Sequence, residues 1–374
     1  MKNKLAIIDH VGSKAGMNYY DDGLINGFAE NNILVYLLSN FISNNNKCKS
    51  KKYFPRFISN NILKFLLLLL AFLRSFLFCK RERIDFVIMH VFNTKFFYFL
   101  IFVFSKILRI KIIVIAHDIF SLASDDNTFF KKYIYNVVAY KIIVHNQYSY
   151  DKIQYFVKDI SKIHIIQQGS YVDILNKNVS KKSARLSLGL SEDKKYILFF
   201  GQIKKKKRLD VLLEAFKNTA DNIVLIIAGK TWKDDFRVYE NIINKYNLDS
   251  RIIKKNYFIS NEERELIFKA SDIMVLPFEE VYQSASILMG MSYSLPVITS
   301  DILGFKEFIK DGFNGLLFKK NDSNDLLRKI NTIFNSSDLY RKLKKNSLLT
   351  MNQNFSWSNI ALQYKNILNF RYEK

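Results

Sequence analysis

A run of five consecutive cations, Lys204 to Arg208, interrupts the stretch YILFFGQIKKKKRLDVLLEAF at 196–216. Before it, an apolar run stops at Gly201. After it, Leu209, Leu212, Leu213 and Phe216 recur at the spacing of an amphipathic helix. The first turn of a helix offers unpaired N–H groups and the positive end of the peptide dipoles, so it favours anions and disfavours cations. Cations there break a local rule, and such breaks concentrate where a ligand is bound. A pyrophosphate would reconcile the conflict, because it needs both the lysine charges and the free N–H groups. A solvated face, or a share of a generally basic chain, accounts for some of the five but less readily for all.

The histidines form a second pattern. His10, His90, His117 and His145 each stand at the end of a short apolar run, and His164 does not. One strand-end histidine is explained by capping a loop. Four on one edge suggest a single rim carrying partners for hydroxyls or phosphates.

Both patterns are positioned by a cadence of short β-branched runs. Strands are expected at 5–9, 33–38, 85–90, 111–117, 141–145 and 163–167, then at 196–201, 222–229, 251–255, 272–277, 295–300 and 314–318. Apolar runs without polar alternation suit parallel strands buried on both faces, and the helical patterns between them make βαβ units. At 374 residues the chain suits two domains. The expected division is a Rossmann-like domain at 1–170, a second at 171–355, and a closing helix at 356–374, where Ile360, Tyr364, Ile367 and Leu368 hold helical spacing. Ligands of open α/β sheets gather beyond the carboxyl ends of the strands, where the cation run and the four histidines fall.

The formal charge of +23 asks for an anionic partner: nucleic acid, an acidic membrane surface or a phosphorylated substrate. Part of it belongs to a composition rich in Lys, Asn, Ile, Phe and Tyr together, as AT-rich coding produces. No RNP, KH, helix-turn-helix or finger signature supports a nucleic-acid partner. The two cysteines, Cys48 and Cys79, form no metal-ligand spacing and no disulfide framework. The N-terminal MKNKLAIIDHVG reads as a strand rather than a signal peptide, and with the cysteines it suggests a reducing cytoplasm. In NILKFLLLLLAFLRSFLFCKRER, 61–83, the uninterrupted apolar run is short against the roughly 20 residues of a spanning helix. Two readings stand there: a buried helix, or an interfacial helix whose basic flanks meet anionic lipid. A core crossover helix is expected at 96–108.

The cation segment resembles the phosphate-binding segment of family 4 retaining glycosyltransferases of the GT-B fold. Gly201, Lys207, Leu212, Leu213, Ala215 and Phe216 match that family's pattern; Gln202 stands where an arginine is usual, and Arg208 where a glycine is. Further landmarks follow in order at 226–230, 271–278, 292–318 and 355–357. In the first half, KIIVIAHD resembles the strand ending in the family's His-Asp, and SKAGMNYY its glycine loop, here Ala15-Gly16. The resemblance covers nearly the whole chain. One departure is large: the two glutamates eight apart are replaced by Val281 and Met289, as in a subgroup with a Q-S-G-type turn.

The resemblance implies two Rossmann-like domains facing each other across a cleft, and transfer of a sugar from a nucleotide-sugar donor to an acceptor hydroxyl. Lys207 takes the diphosphate role, with Lys204 supporting it where Gln202 replaces arginine. Gln283 and Ser284 face the donor phosphates, Glu307 binds the donor unless it merely caps a helix N-terminus, and Gly16 allows close backbone approach. His117 contacts the transferred sugar, and Asn18 and His145 lie on the acceptor side. No metal and no other cofactor is implied. The setting implied is bacterial surface-polysaccharide assembly (capsule, O-antigen or exopolysaccharide) on a lipid-linked glycan, with the enzyme peripheral at the inner face of the membrane. The rivals are a GT-B partner or scaffold without catalysis, a basic nucleic-acid-binding protein, and a GT-B nucleotide-sugar epimerase.

Overall fold

Each β-branched run becomes a strand of a parallel sheet. The computed structural model describes residues 3–13, 16–117, 119, 127–232, 235–281 and 284–368. It divides into two units, one of Met1–Gly169 with Phe355–Lys374 and one of Ser170–Asn354.

In the first unit the strands are β1 (Lys4–Asp9), β2 (Leu34–Ser39), β3 (Lys49–Lys52), β4 (Phe86–Val91), β5 (Ile112–Ala116), β6 (Ala139–Val144) and β7 (Ile163–Ile165). They lie in the order β3-β2-β1-β4-β5-β6-β7. Ala6 and Ile8 of β1 enter one apolar cluster and Leu5 and Ile7 the other, so both faces are covered. That double burial is why the runs show no polar alternation, and it is worth about 1.5–3 kcal/mol for each large side chain. Strand β3 was not expected. Its sequence KSKK carries no apolar signal; it pairs with β2 at the sheet edge, where lysines discourage further strand addition.

The second unit holds β8 (Lys195–Phe200), β9 (Ile223–Ala228), β10 (Ile252–Lys255), β11 (Ile273–Leu276), β12 (Val297–Ser300) and β13 (Leu316–Phe318). Their order is β10-β9-β8-β11-β12-β13. In each sheet the chain winds outward one way and then the other, reversing between β1 and β4 and between β8 and β11. Such a reversal opens a crevice at the carboxyl ends of the two central strands.

The closing helix, Trp357–Ile367, belongs to the first unit and packs along the helix Met17–Glu30. Close approach depends on glycine: a Cβ on Gly23 would lie 2.1 Å from Trp357 Cε2, and one on Gly27 2.0 Å from the Trp357 carbonyl oxygen.

The apolar segment after Asn60 forms one helix, Asn61–Arg81, whose N-terminus the Asn60 side chain caps by accepting from the Ile62 and Leu63 N–H groups. Its length and composition would suffice to cross a membrane. Yet Ala71, Phe72, Phe76, Phe78 and Cys79 are built into the core of the first unit, while Ile62, Leu63, Leu66, Leu70 and Leu77 are exposed. The buried and the solvent-facing readings therefore each hold for a part of it. The neighbouring helix Phe96–Ile107 likewise buries Tyr98, Ile101 and Phe102 but exposes Phe96 and Ile107.

Candidate active site

In the second unit the five cations separate. Lys205–Lys207 make a short 3-10 turn, and the helix Leu209–Phe216 starts behind it. Lys206 pairs with Glu280 at 2.7 Å. Arg208 adopts the left-handed conformation, φ 51°, which explains why glycine suits that position. Its guanidinium forks onto Asp210, 2.8 Å from Nη2, and reaches Asn321, which holds the strained residue in place. Lys204 Nζ lies 5.8 Å from the centre of the Trp232 ring.

Lys207 is the exception. Its Nζ sits 4.8 Å from the centre of the Phe278 ring and makes no ion pair among the described residues. Burial, and then the Lys204 charge, push its pKa down to about 7. It lies between the ends of β8 and β11, at the strand-order reversal. A Cβ on Gly201 would come within 2.7 Å of Lys207 Nζ and 3.0 Å of Ser286 Oγ. Gly201 has φ 109° and Gly229 φ 142°, and a Cβ on Gly229 would lie 2.2 Å from the Gly201 carbonyl oxygen. The two strand tips thus leave room for the Lys207 amine beside the Gly201 backbone.

Ser284 is buried at the N-terminus of the helix Ala285–Ser292, and its side chain makes no capping bond. Ser286 Oγ donates to the Phe200 carbonyl at 3.3 Å, beside Gly201; sequence reading passed over it, although it follows Ser284 by two residues. Gln202 is exposed. Gln283 lies outside the described residues. Glu307 does not cap a helix N-terminus. It ends the short helix Leu303–Lys306, whose Phe305 packs 5.5 Å from the Phe278 ring that faces Lys207. Met289, in place of a family glutamate, is buried.

In the first unit, Gly16 is exposed and left-handed, φ 76°, at the start of the helix Met17–Glu30. The Asn18 N–H donates to the Gly12 carbonyl at 2.9 Å. Both carboxylate oxygens of Asp9 fix this turn, accepting from the Val11 N–H at 2.8 Å and the Gly12 N–H at 2.7 Å.

Three of the four strand-end histidines come together, with His117 5.1 Å from His90 and 5.3 Å from His145 between ring centres, whereas His10 turns away, which corrects the expectation of one rim for all four. His10 turns toward the helix Asn61–Arg81, its Nε2 2.9 Å from Tyr98 Oη and its ring 5.8 Å from Phe72. His90 is buried: its Nδ1 is 2.8 Å from His117 Nε2 and its Nε2 is 3.0 Å from Asp21 Oδ1. The strand-end position predicts a rim residue at His90, whereas the structure turns it inward against Asp21 of the helix Met17–Glu30. His117 remains partly exposed, stacked on Phe92 at 4.5 Å with 8° between planes. His145 is buried, with Nδ1 2.8 Å from the Ile166 carbonyl and, among the described residues, no partner on Nε2. Burial lowers its pKa to about 4, so the ring is neutral and Nδ1 is the donor. Asp118, beside His117, lies outside the described residues.

Asp21 and Asp9 were not foreseen. Both are buried and their carboxyls meet; burial and then the Asp21 charge push the Asp9 pKa up to about 7, and burial, with the Asp22 charge, pushes Asp21 up to about 7 although the contact with Asp9 lowers it. The available signal was Asp9 at a strand end and Asp21 on the buried stripe of a helix.

Residues 180–349 match the family model for glycosyl transferases group 1. An uncharacterized glycosyltransferase of Methanocaldococcus jannaschii is 31% identical over 176 residues, 47% of this chain and 48% of its own length. The chain spans about half the length of the first curated relatives it matches. Among solved structures, HepE of Anabaena, in complex with UDP and glucose, superposes with a TM-score of 0.74 at 17% identity, over 97% of this chain and 98% of that one. WaaG, a glycosyltransferase involved in lipopolysaccharide biosynthesis, superposes with a TM-score of 0.69 at 14% identity, over 98% and 99%. With the two parallel sheets, these likenesses assign the chain to the GT-B fold.

Proposed function

We propose, on the premise that residues 180–349 belong to the glycosyl transferases group 1 family, that the chain is a retaining glycosyltransferase drawing on a nucleotide-sugar donor. The observation that carries this reading is Lys207, an amine with no carboxylate partner among the described residues, at the strand-order reversal and beside two glycine tips. As the anomeric bond breaks, negative charge grows on the departing diphosphate. Fixed cations and N–H groups stabilise that charge most where water is excluded. Lys207 and Lys204 supply the charge, and the helix N-terminus at Ser284 supplies N–H groups. The lysines neutralise the leaving group without a divalent ion in the mechanism. Glu307 and Gln283 complete the donor side. Gly16 admits the donor to the backbone, His117 meets the transferred sugar, and Asn18 and His145 serve the acceptor.

The acceptor we assign is a lipid-linked glycan of a bacterial surface polysaccharide. The exposed Ile62, Leu63, Leu66 and Leu70, flanked by Lys64 and Arg74, suit the interface of an anionic membrane, and would place the enzyme peripherally at its inner face.

The test is a thermal-shift panel of nucleoside diphosphates and nucleotide sugars, with Lys207→Ala beside the wild type. One nucleotide at about 100 times its Kd should stabilise the wild type by about 2.7 kcal/mol and leave Lys207→Ala unmoved. Absence of any shift in the wild type would favour a non-catalytic partner of another transferase.

A further inference from the structure

We propose that Trp232 is the platform on which the base of the donor nucleotide stacks, with Lys204 standing between it and Lys207 along the diphosphate. The inference deepens the nucleotide-sugar reading and rests on it.

Two turns beyond neighbouring strands make the arrangement. One follows β8 and carries Lys204; the other follows β9 and carries Trp232. Backbone hydrogen bonds pin them together. The Ile203 N–H donates to the Lys230 carbonyl and the Trp232 N–H to the Ile203 carbonyl, each at 3.0 Å. Ile203 is itself fully buried. The Thr231 N–H and Oγ1 both donate to Asn256 Oδ1, at 2.9 and 2.7 Å, which ties the second turn to the end of β10. The backbone of Trp232 is therefore fixed, yet the residue stays 43% exposed.

An exposed apolar residue on its own is ordinary and needs no function. What sets Trp232 apart is its place in a series. The strand order runs β10-β9-β8-β11, and Lys207 lies at the reversal between β8 and β11. Lys204 Nζ is 5.8 Å from the centre of the Trp232 ring. The Lys204 charge also helps to push the Lys207 pKa down, so Lys204 stands close to both. Along the carboxyl edge of this sheet, where ligands of such folds gather, the order is ring, cation, cation. A nucleoside diphosphate has the same order: base, first phosphate, second phosphate. Indole suits the first place, since it offers a large flat face and loses little conformational freedom on binding. Every base has a π-face that such a ring can take.

The experiment uses the full chain and follows tryptophan emission and calorimetric affinity for UDP, GDP, ADP and inorganic pyrophosphate, the last as a ligand without a base. The chain has two tryptophans, and Trp357 is buried in the first unit, so Trp232 is the one a ligand can reach. At least one nucleoside diphosphate should quench the wild type on binding, after correction for its own absorption. Trp232→Ala should weaken that nucleoside diphosphate about 5- to 100-fold and leave pyrophosphate within about twofold. Trp232→Phe, which keeps a stacking face, should recover most of the loss. A folded Trp232→Ala with unchanged affinity for the nucleoside diphosphate would overturn the proposal, and so would a bound nucleoside diphosphate that leaves the emission unchanged. An equal loss for pyrophosphate would overturn it too, because it would mark a general disturbance of the turn. In each of those cases, nucleoside diphosphate binding that Lys207→Ala abolishes would leave the transferase reading standing. Failure of the wild type to bind any of the four ligands would remove that reading and the platform together.

Discussion

The two units share a strand-winding scheme and solve opposite electrostatic problems at their reversals. In the second, carboxylates neutralise Lys206 and Arg208, and Lys207 is kept apart and desolvated. In the first, two carboxyls and two imidazoles are wired to one another, and the charge is consumed internally. One unit holds a desolvated lysine with no ion pair among the described residues. The other holds carboxyls and imidazoles that hydrogen-bond to one another. The architecture supplied the crevice in each case; the side chains at its lip decided what it fits.

The strongest way to break that contrast is Lys207→Ala. It should lower kcat/KM for the donor by about 10²–10³-fold in steady-state assays. The second is Gly229→Ala. Its Cβ would press on the Gly201 carbonyl at a φ of 142°, and strain plus overpacking should cost about 3 kcal/mol in chemical denaturation.

Proton linkage sharpens the comparison further. Lys207, with a pKa near 7, is largely neutral above that pH in the free protein, and a diphosphate needs it charged. Nucleoside-diphosphate affinity should therefore fall by up to about tenfold per pH unit above 7, with proton uptake on binding seen by calorimetry in buffers of different ionisation enthalpy. For stability the units run in opposite senses. The raised carboxyl pKa values mean that the folded first unit binds more protons than the unfolded chain, so it loses stability as pH rises from the ordinary carboxylate range toward 7. The lowered Lys207 value means that the folded second unit binds fewer protons, so it gains stability as pH rises from about 7 toward the ordinary lysine range. Asp9→Asn should flatten the first slope and leave the second, as read by thermal unfolding across pH.

The smallest effect on folding is expected at the exposed apolar stripe. Leu66→Ser with Leu70→Ser should change stability by about 0.5 kcal/mol or less, since neither is in the core. The pair should nevertheless reduce co-sedimentation with anionic vesicles.

Legibility differed along the chain for physical reasons. The strands of both sheets were readable because double burial demands unbroken apolar runs; β3 was not, because an edge strand of KSKK buries little. Lys207 could be picked out because glycine, cation and helix follow each other locally. Asp9 and Asp21 could not, since each is one acidic residue in an ordinary setting and their meeting depends on how a helix packs against β1 and β4.

The amino-acid order alone determined the βαβ cadence, the place of the strand ends and the turn that holds the lysines, because these depend on periodicity and local backbone preference. Only the tertiary structure decided which cations of the run are ion-paired, which histidines are buried and how much of the helix Asn61–Arg81 is buried. Those outcomes depend on contacts between residues far apart in the chain, such as Lys206 with Glu280 and Asp21 with His90.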